Sequence, residues 1–248
     1  MNLQICTPYR KCPFNCPMCI ASKAPKFNNL YGENFIQYFL KLDYVLEHYP
    51  IKTVVLTGDT EPTLDLSWVF RVSSHIKERY PHINIELQTH VYGYNRFSYK
   101  YIDRVCYSIT DSRYLNHIVD LVKSYRYDKN HEEEDNPIPT KSRLVFLATK
   151  ELITSLTNLK RFVFDAEQIT FKILQNTAYS VNNIDYYIKN NKASLHNTQI
   201  KKLIQRYKKQ GKSVVLDINC QDAKDRYMVF REDGFTYKDW SSLKPEFC

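Results

Sequence analysis

Six short apolar runs separated by stretches of helical spacing constrain this chain most. Strands are expected at Leu3–Thr7, Thr53–Thr57, Ile83–Thr89, Arg104–Ile109, Leu144–Ala148 and Ile169–Leu174. Helices are expected at Glu33–His48, Leu66–Tyr80, Ser112–Tyr125 and Glu151–Val163, with a short turn near Tyr99–Asp103. In the first helix Phe35, Ile36, Phe39, Leu40, Tyr44 and Val45 recur at helical spacing. The second halts before Pro81, because the residue ahead of a proline avoids helical backbone. Strands alternating with helices pair in parallel through right-handed crossovers. Six units cannot close an eight-stranded barrel, so the expected fold is α/β, an open or partial (β/α)6 barrel over residues 1–180. In such folds chemistry gathers at the carboxyl ends of the strands.

Polar residues stand there. The first strand leads into Cys12-Pro13-Phe14-Asn15-Cys16-Pro17-Met18-Cys19. Three thiols at C-x3-C-x2-C spacing rarely have a packing reason. The prolines among them oppose a regular helix, and a curled loop can aim three sulfurs at one point. Such a set suits zinc or an iron–sulfur cluster; a four-iron cluster normally takes four thiolates, so three leave one iron open. The second strand ends in Thr57-Gly58-Asp59-Thr60-Glu61-Pro62-Thr63, the third in Gln88-Thr89-His90, the fourth in Ser108-Ile109-Thr110-Asp111. The sixth carries Lys172 and Ile173. Arg143 reads as an exposed residue ahead of the fifth strand.

Composition narrows the class. No apolar run among the 248 residues nears the roughly 20 that a membrane helix needs, and the first 20 have no secretory pattern. No membrane association is expected. Cys6, Cys106, Cys220 and Cys248 lack a shared spacing, so they read as buried or free thiols of a reducing cytoplasm. The net charge is +8, with a local cluster at Lys201, Lys202, Arg206, Lys208, Lys209 and Lys212 that reads as a solvated helix face. Residues 126–142, with the polar acidic stretch Asp128 to Pro137, read as a long loop, either a disordered insertion or a lid; His131 beside its glutamates is no metal site, since consecutive side chains cannot all face one point.

Residues 181–248 read as a short α+β extension that caps the barrel and shapes the substrate site. A basic helix, Thr198–Gln210, runs from a cap at Asn197 to Gly211. Strands follow at Ser213–Ile218, Tyr227–Phe230 and Phe235–Tyr237, with a turn at Glu232-Asp233-Gly234.

The cysteine loop after one strand, followed by T-G-x-x-E-P-T after the next, resembles the radical S-adenosylmethionine superfamily over residues 1 to about 180. The resemblance implies that Cys12, Cys16 and Cys19 ligate a [4Fe–4S] cluster whose open iron chelates S-adenosylmethionine. Reduction by a carrier such as flavodoxin or ferredoxin would then cleave it to methionine and a 5′-deoxyadenosyl radical that abstracts a substrate hydrogen. It places Gly58, Asp59, Thr60 and Glu61 beside the methionine amine, and Met18 and Ile173 beside adenine. Gln88, His90 and Ser108 stand near ribose, carboxylate or substrate. Two positions depart from the family pattern: Thr60 stands where its G-G-E-P form has the second glycine, and Met18 where an aromatic residue is common. The tail from Asp217 to Gln221 and from Asp225 to Tyr227 is distantly similar to that of viperin-like nucleotide enzymes. The leading expectation is a radical enzyme acting on a polar small molecule or nucleotide. The alternatives are one that modifies a peptide, protein or RNA, and a non-enzymatic zinc or iron–sulfur module.

Overall fold

The structure is a computed structural model that describes residues 1–8, 12–14, 26–58, 60–90, 100–110, 112, 115, 141–158, 166–172, 198–217, 227–238, 240 and 242–246. The strands are β1 (Asn2–Thr7), β2 (Thr53–Gly58), β3 (Asn84–Thr89), β4 (Arg104–Ile109), β5 (Lys141–Leu147), β6 (Gln168–Lys172), β7 (Ser213–Asp217), β8 (Tyr227–Phe230) and β9 (Thr236–Tyr237). The helices are α1 (Leu30–Glu33), α2 (Phe35–His48), α3 (Leu66–Arg79), α4 (Lys150–Asn158) and α5 (Thr198–Lys209), with a 3-10 turn at Pro62–Leu64. The fold is mixed α/β with largely parallel strands, as the alternation requires. The expected Ser112–Tyr125 helix, the 126–142 loop and Asn197 fall outside the described residues, apart from Ser112, Leu115, and Lys141 and Ser142, which belong to β5 instead of the loop.

The chain forms two compact units. In the first, strands run in the order β3-β2-β1-β8-β9. β1 lies parallel to β2 on one side and to β8 on the other, while β8 and β9 are antiparallel. One face carries Leu3, Ile5, Val54, Leu56, Ile85, Leu87 and Phe230, all buried. It packs under α2 and α3, where the rings of Tyr38 and Phe230 meet at 5.1 Å. Trp68, Val72 and Ile76 of α3 are fully buried, and each such side chain contributes roughly 1.5–3 kcal/mol. Both helices start on side-chain caps: Asn34 accepts from the Gln37 N–H at 3.1 Å, and Asp65 from the Trp68 N–H at 3.0 Å.

The opposite face has its own core beneath the tail. Cys6, Val229 and Tyr237 are buried there, with Phe27, Tyr227, Phe235 and Trp240 around them. Fully buried Arg231 lies over the rings of Phe27, Trp240 and Tyr237 at 4.6, 5.2 and 5.6 Å and donates to the Trp240 carbonyl at 2.8 Å. Stacking on aromatic faces offsets part of what burying a guanidinium costs.

The second unit orders its strands β7-β6-β5-β4, all parallel. Leu144, Phe146, Ile169 and Phe171 form one buried face, with α4 contributing Leu152, Ile153 and Leu156. Tyr207 of α5 stacks toward Phe171 on that face, ring centroids 6.3 Å apart. The turn after α5 contains Gly211, which takes φ 74°, a conformation that suits glycine.

Three expectations are corrected. A separate turn, α1, ends at Glu33, because Asn34 caps a new helix instead of continuing the old one. Within α2 the inward face is Tyr38, Leu42, Val45 and Leu46, while Phe35, Ile36, Leu40 and Tyr44 are 48–62% exposed. The helix is apolar on two sides, and spacing alone does not choose between them. β5 starts at Lys141, so Arg143 lies within the strand and its Nε donates to the Cys106 sulfur at 3.3 Å. Cys6 and Cys106 are buried thiols, as expected. No helix among the described residues is long and apolar enough to cross a membrane.

Candidate functional site

At the carboxyl ends of β1, β2 and β3 the backbones draw together. Gly58 closes β2 against Thr7, the last residue of β1. A Cβ on Gly58 would lie 2.0 Å from the Thr7 hydroxyl oxygen and 2.6 Å from its backbone nitrogen. The need for glycine is therefore set by Thr7, whose hydroxyl donates to the Thr57 carbonyl at 2.7 Å.

The loop beyond β2 is anchored by Glu61. Its Oε1 accepts from the Thr63 N–H at 3.1 Å, the Thr63 hydroxyl at 2.8 Å and the Thr89 hydroxyl at 2.6 Å. Its Oε2 accepts from the His90 N–H at 2.7 Å. The side chain caps the Pro62–Leu64 turn and ties it to the end of β3. Each carboxylate oxygen offers about two lone pairs, so Oε1, which takes three donors, is saturated and Oε2, which takes one, retains one. Burial pushes the Glu61 carboxyl above the ordinary glutamate range, against the opposing pull of the hydrogen bonds from Thr89, His90 and Thr63. Thr60 is also buried, and its hydroxyl oxygen has no hydrogen-bond partner among the described residues.

The cysteine segment reaches the same place. Phe14, two residues past Cys12, meets the His90 ring edge-on with centroids 4.5 Å apart. His90 is buried; its backbone N–H holds Glu61 while its ring meets Phe14. Cys12 is a half-buried thiol. On the sheet face turned away from α2 and α3, the Thr57 hydroxyl donates to Gln88 Oε1 and Gln88 Nε2 to Glu86, both at 3.4 Å.

The structure thus brings together Gly58, Thr60, Glu61, His90 and the segment of Cys12, with Gln88 on the adjoining face. Ser108 belongs to the second unit, half-buried on β4, on the face turned away from Leu144 and Phe146. Cys16, Met18, Cys19, Asp59 and Ile173 lie outside the described residues. Three participants were not singled out from sequence: Thr7, Phe14 and Glu86. The signal for Thr7 was its position, a hydroxyl ending β1 beside the glycine that ends β2. Phe14 and Glu86 gave none beyond their neighbours in sequence.

No protein-family model matches this chain, and no curated protein is similar to it.

Proposed function

We propose that this protein is a radical S-adenosylmethionine enzyme acting on a polar small-molecule or nucleotide-like substrate, with its parallel strands forming the wall of a partial barrel. One observation carries the reading. The cysteine segment and the T-G-x-x-E-P-T stretch meet at the strand ends, through the contact of Phe14 with His90 and the bond from His90 to Glu61.

The residues present fit the cofactors. Cys12, with Cys16 and Cys19, would hold a [4Fe–4S] cluster, for which thiolates are the natural ligands. Glu61 Oε2 retains one lone pair, and the Thr60 hydroxyl has no partner among the described residues. Acceptors of this kind suit the ammonium of S-adenosylmethionine. When bound, the cluster and S-adenosylmethionine supply hydrogen-atom abstraction, with electrons from a carrier such as flavodoxin or ferredoxin. The chain's own part is positional. Glu61 fixes the loop after β2, Gly58 allows that loop to leave from beside Thr7, and Phe14 against His90 seats the cysteine segment over β3. Gln88 and Thr57 offer polar groups on the sheet face where a substrate would lie.

Anaerobic reconstitution followed by iron and sulfide analysis tests the reading. It expects about four irons and four sulfides per chain, and loss of the cluster in Cys12→Ala and Cys16→Ala. Zinc bound in place of iron would overturn it.

A further inference from the structure

Among the described residues, β7 is the outermost strand of the second unit. β7 pairs with β6 from Gln168–Ser213 to Lys172–Asp217, and no described strand lies on its other side. Natural edge strands are usually protected by charge, proline or a bulge. Of the five residues of β7 only the last, Asp217, is charged, and none is proline. Burial falls away here: Val215 is 40% exposed, whereas its register partner Thr170 on β6 is 8% exposed. A row of backbone N–H and C=O groups beside an exposed valine matches an extended peptide.

Charge indicates which peptide. α5 and the turn after it precede β7 directly, and carry Lys201, Lys202, Arg206, Lys208, Lys209 and Lys212. No acidic residue stands between Thr198 and Leu216. α5 covers the face of Phe171, Val214 and Leu216, while Val215 belongs to the opposite face. A strand added at this edge would alternate likewise, turning every second side chain toward the α5 side and the others toward the Val215 side. A second copy of β7 would bring another cationic cluster against the first, which opposes self-pairing.

We propose that the β7 edge, flanked by the basic helix α5, is a docking site for an extended acidic peptide segment of a partner, with acidic and apolar residues in alternation. Main-chain pairing supplies the affinity and the two faces the specificity. The surface does not depend on the radical chemistry above.

Fluorescence anisotropy on the full chain tests this. The probe is a labelled, capped peptide of alternating glutamate and valine, long enough to pair the five residues of β7. We expect saturable binding that weakens as salt rises. Full N-methylation of the peptide backbone keeps its charge and removes its N–H groups, and should weaken binding roughly tenfold or more. Lys202→Glu with Lys209→Glu, both at exposed positions, should weaken it similarly. The proposal is overturned by no binding, or by equal binding of the N-methylated peptide. Equal binding of a peptide with its glutamates and valines in separate blocks, or tighter binding of an RNA oligomer of matched charge, would overturn it too. The peptide comparisons use the unaltered protein, so they decide the matter even if the charge-reversed variant folds poorly.

Discussion

Glu61 brings two opposed effects onto one carboxylate. Burial favours its protonated form, while Thr63, Thr89 and His90 favour the charged form, and burial is the larger. The folded value therefore lies above the unfolded one. Its stabilising contribution is fully present below the ordinary glutamate range and is lost as pH rises through the raised value. Glu61→Gln sets an amide N–H against the His90 N–H or the threonine donors, and should destabilise the fold by roughly 1–3 kcal/mol. The gap between wild type and this variant should narrow as pH rises through that window, as read from urea midpoints; a widening gap would mean that the hydrogen bonds outweigh burial. Gly58→Ala should cost roughly 1–3 kcal/mol, because the new Cβ meets Thr7 backbone that has no room to shift. Circular dichroism melts would show this, and an unchanged melt would refute the close approach of β1 and β2. The polar strand ends are legible in sequence because Gly58, Glu61 and His90 follow recognisable apolar runs. The partners of Glu61 are not, since four donors from three residues converge only once β2 and β3 lie side by side.

At the scale of elements, β4 and β8 have the bounds that their apolar runs indicate, and α3 ends just before its expected stop at Tyr80. α2 shows where periodicity fails. Its two apolar faces are equally regular, and the sheet rather than the helix selects Tyr38, Leu42, Val45 and Leu46. A buried polar residue marks the choice: Asp43 accepts from the Tyr80 hydroxyl at 3.2 Å and pairs with His75 at 2.7 Å, joining α2 to the α3 segment. The Tyr80 hydroxyl is pushed up to about 12 by its own partial burial and by its bond to Glu47. Leu42→Ala should cost about 2–5 kcal/mol, whereas Leu40→Lys should change stability by less than about 0.5 kcal/mol. Equilibrium unfolding of the two variants would separate the faces, and the reverse order would invert the assignment of α2.

For the whole chain, parallel pairing follows from alternating strands and helices, and it holds in both units. The tail obeys a different logic. The tail contributes to both units: α5 and β7 belong to the second, and β8 takes the place beside β1 in the first. Nothing local in Tyr227–Phe230 indicates that pairing, because it links positions more than two hundred residues apart and rests on the common burial of Ile5, Val229 and Phe230. In the first unit the carboxyl ends of β1, β2 and β3 carry or adjoin Thr7, Gly58, Glu61 and His90. The direct measurement is to reduce the anaerobically reconstituted protein, add S-adenosylmethionine and quantify 5′-deoxyadenosine by chromatography. Formation is expected to depend on the reductant and to vanish in Cys12→Ala, Cys16→Ala and Cys19→Ala. A cluster-loaded protein that yields no 5′-deoxyadenosine, with or without candidate substrates, or cysteine variants that still produce it, would contradict that expectation.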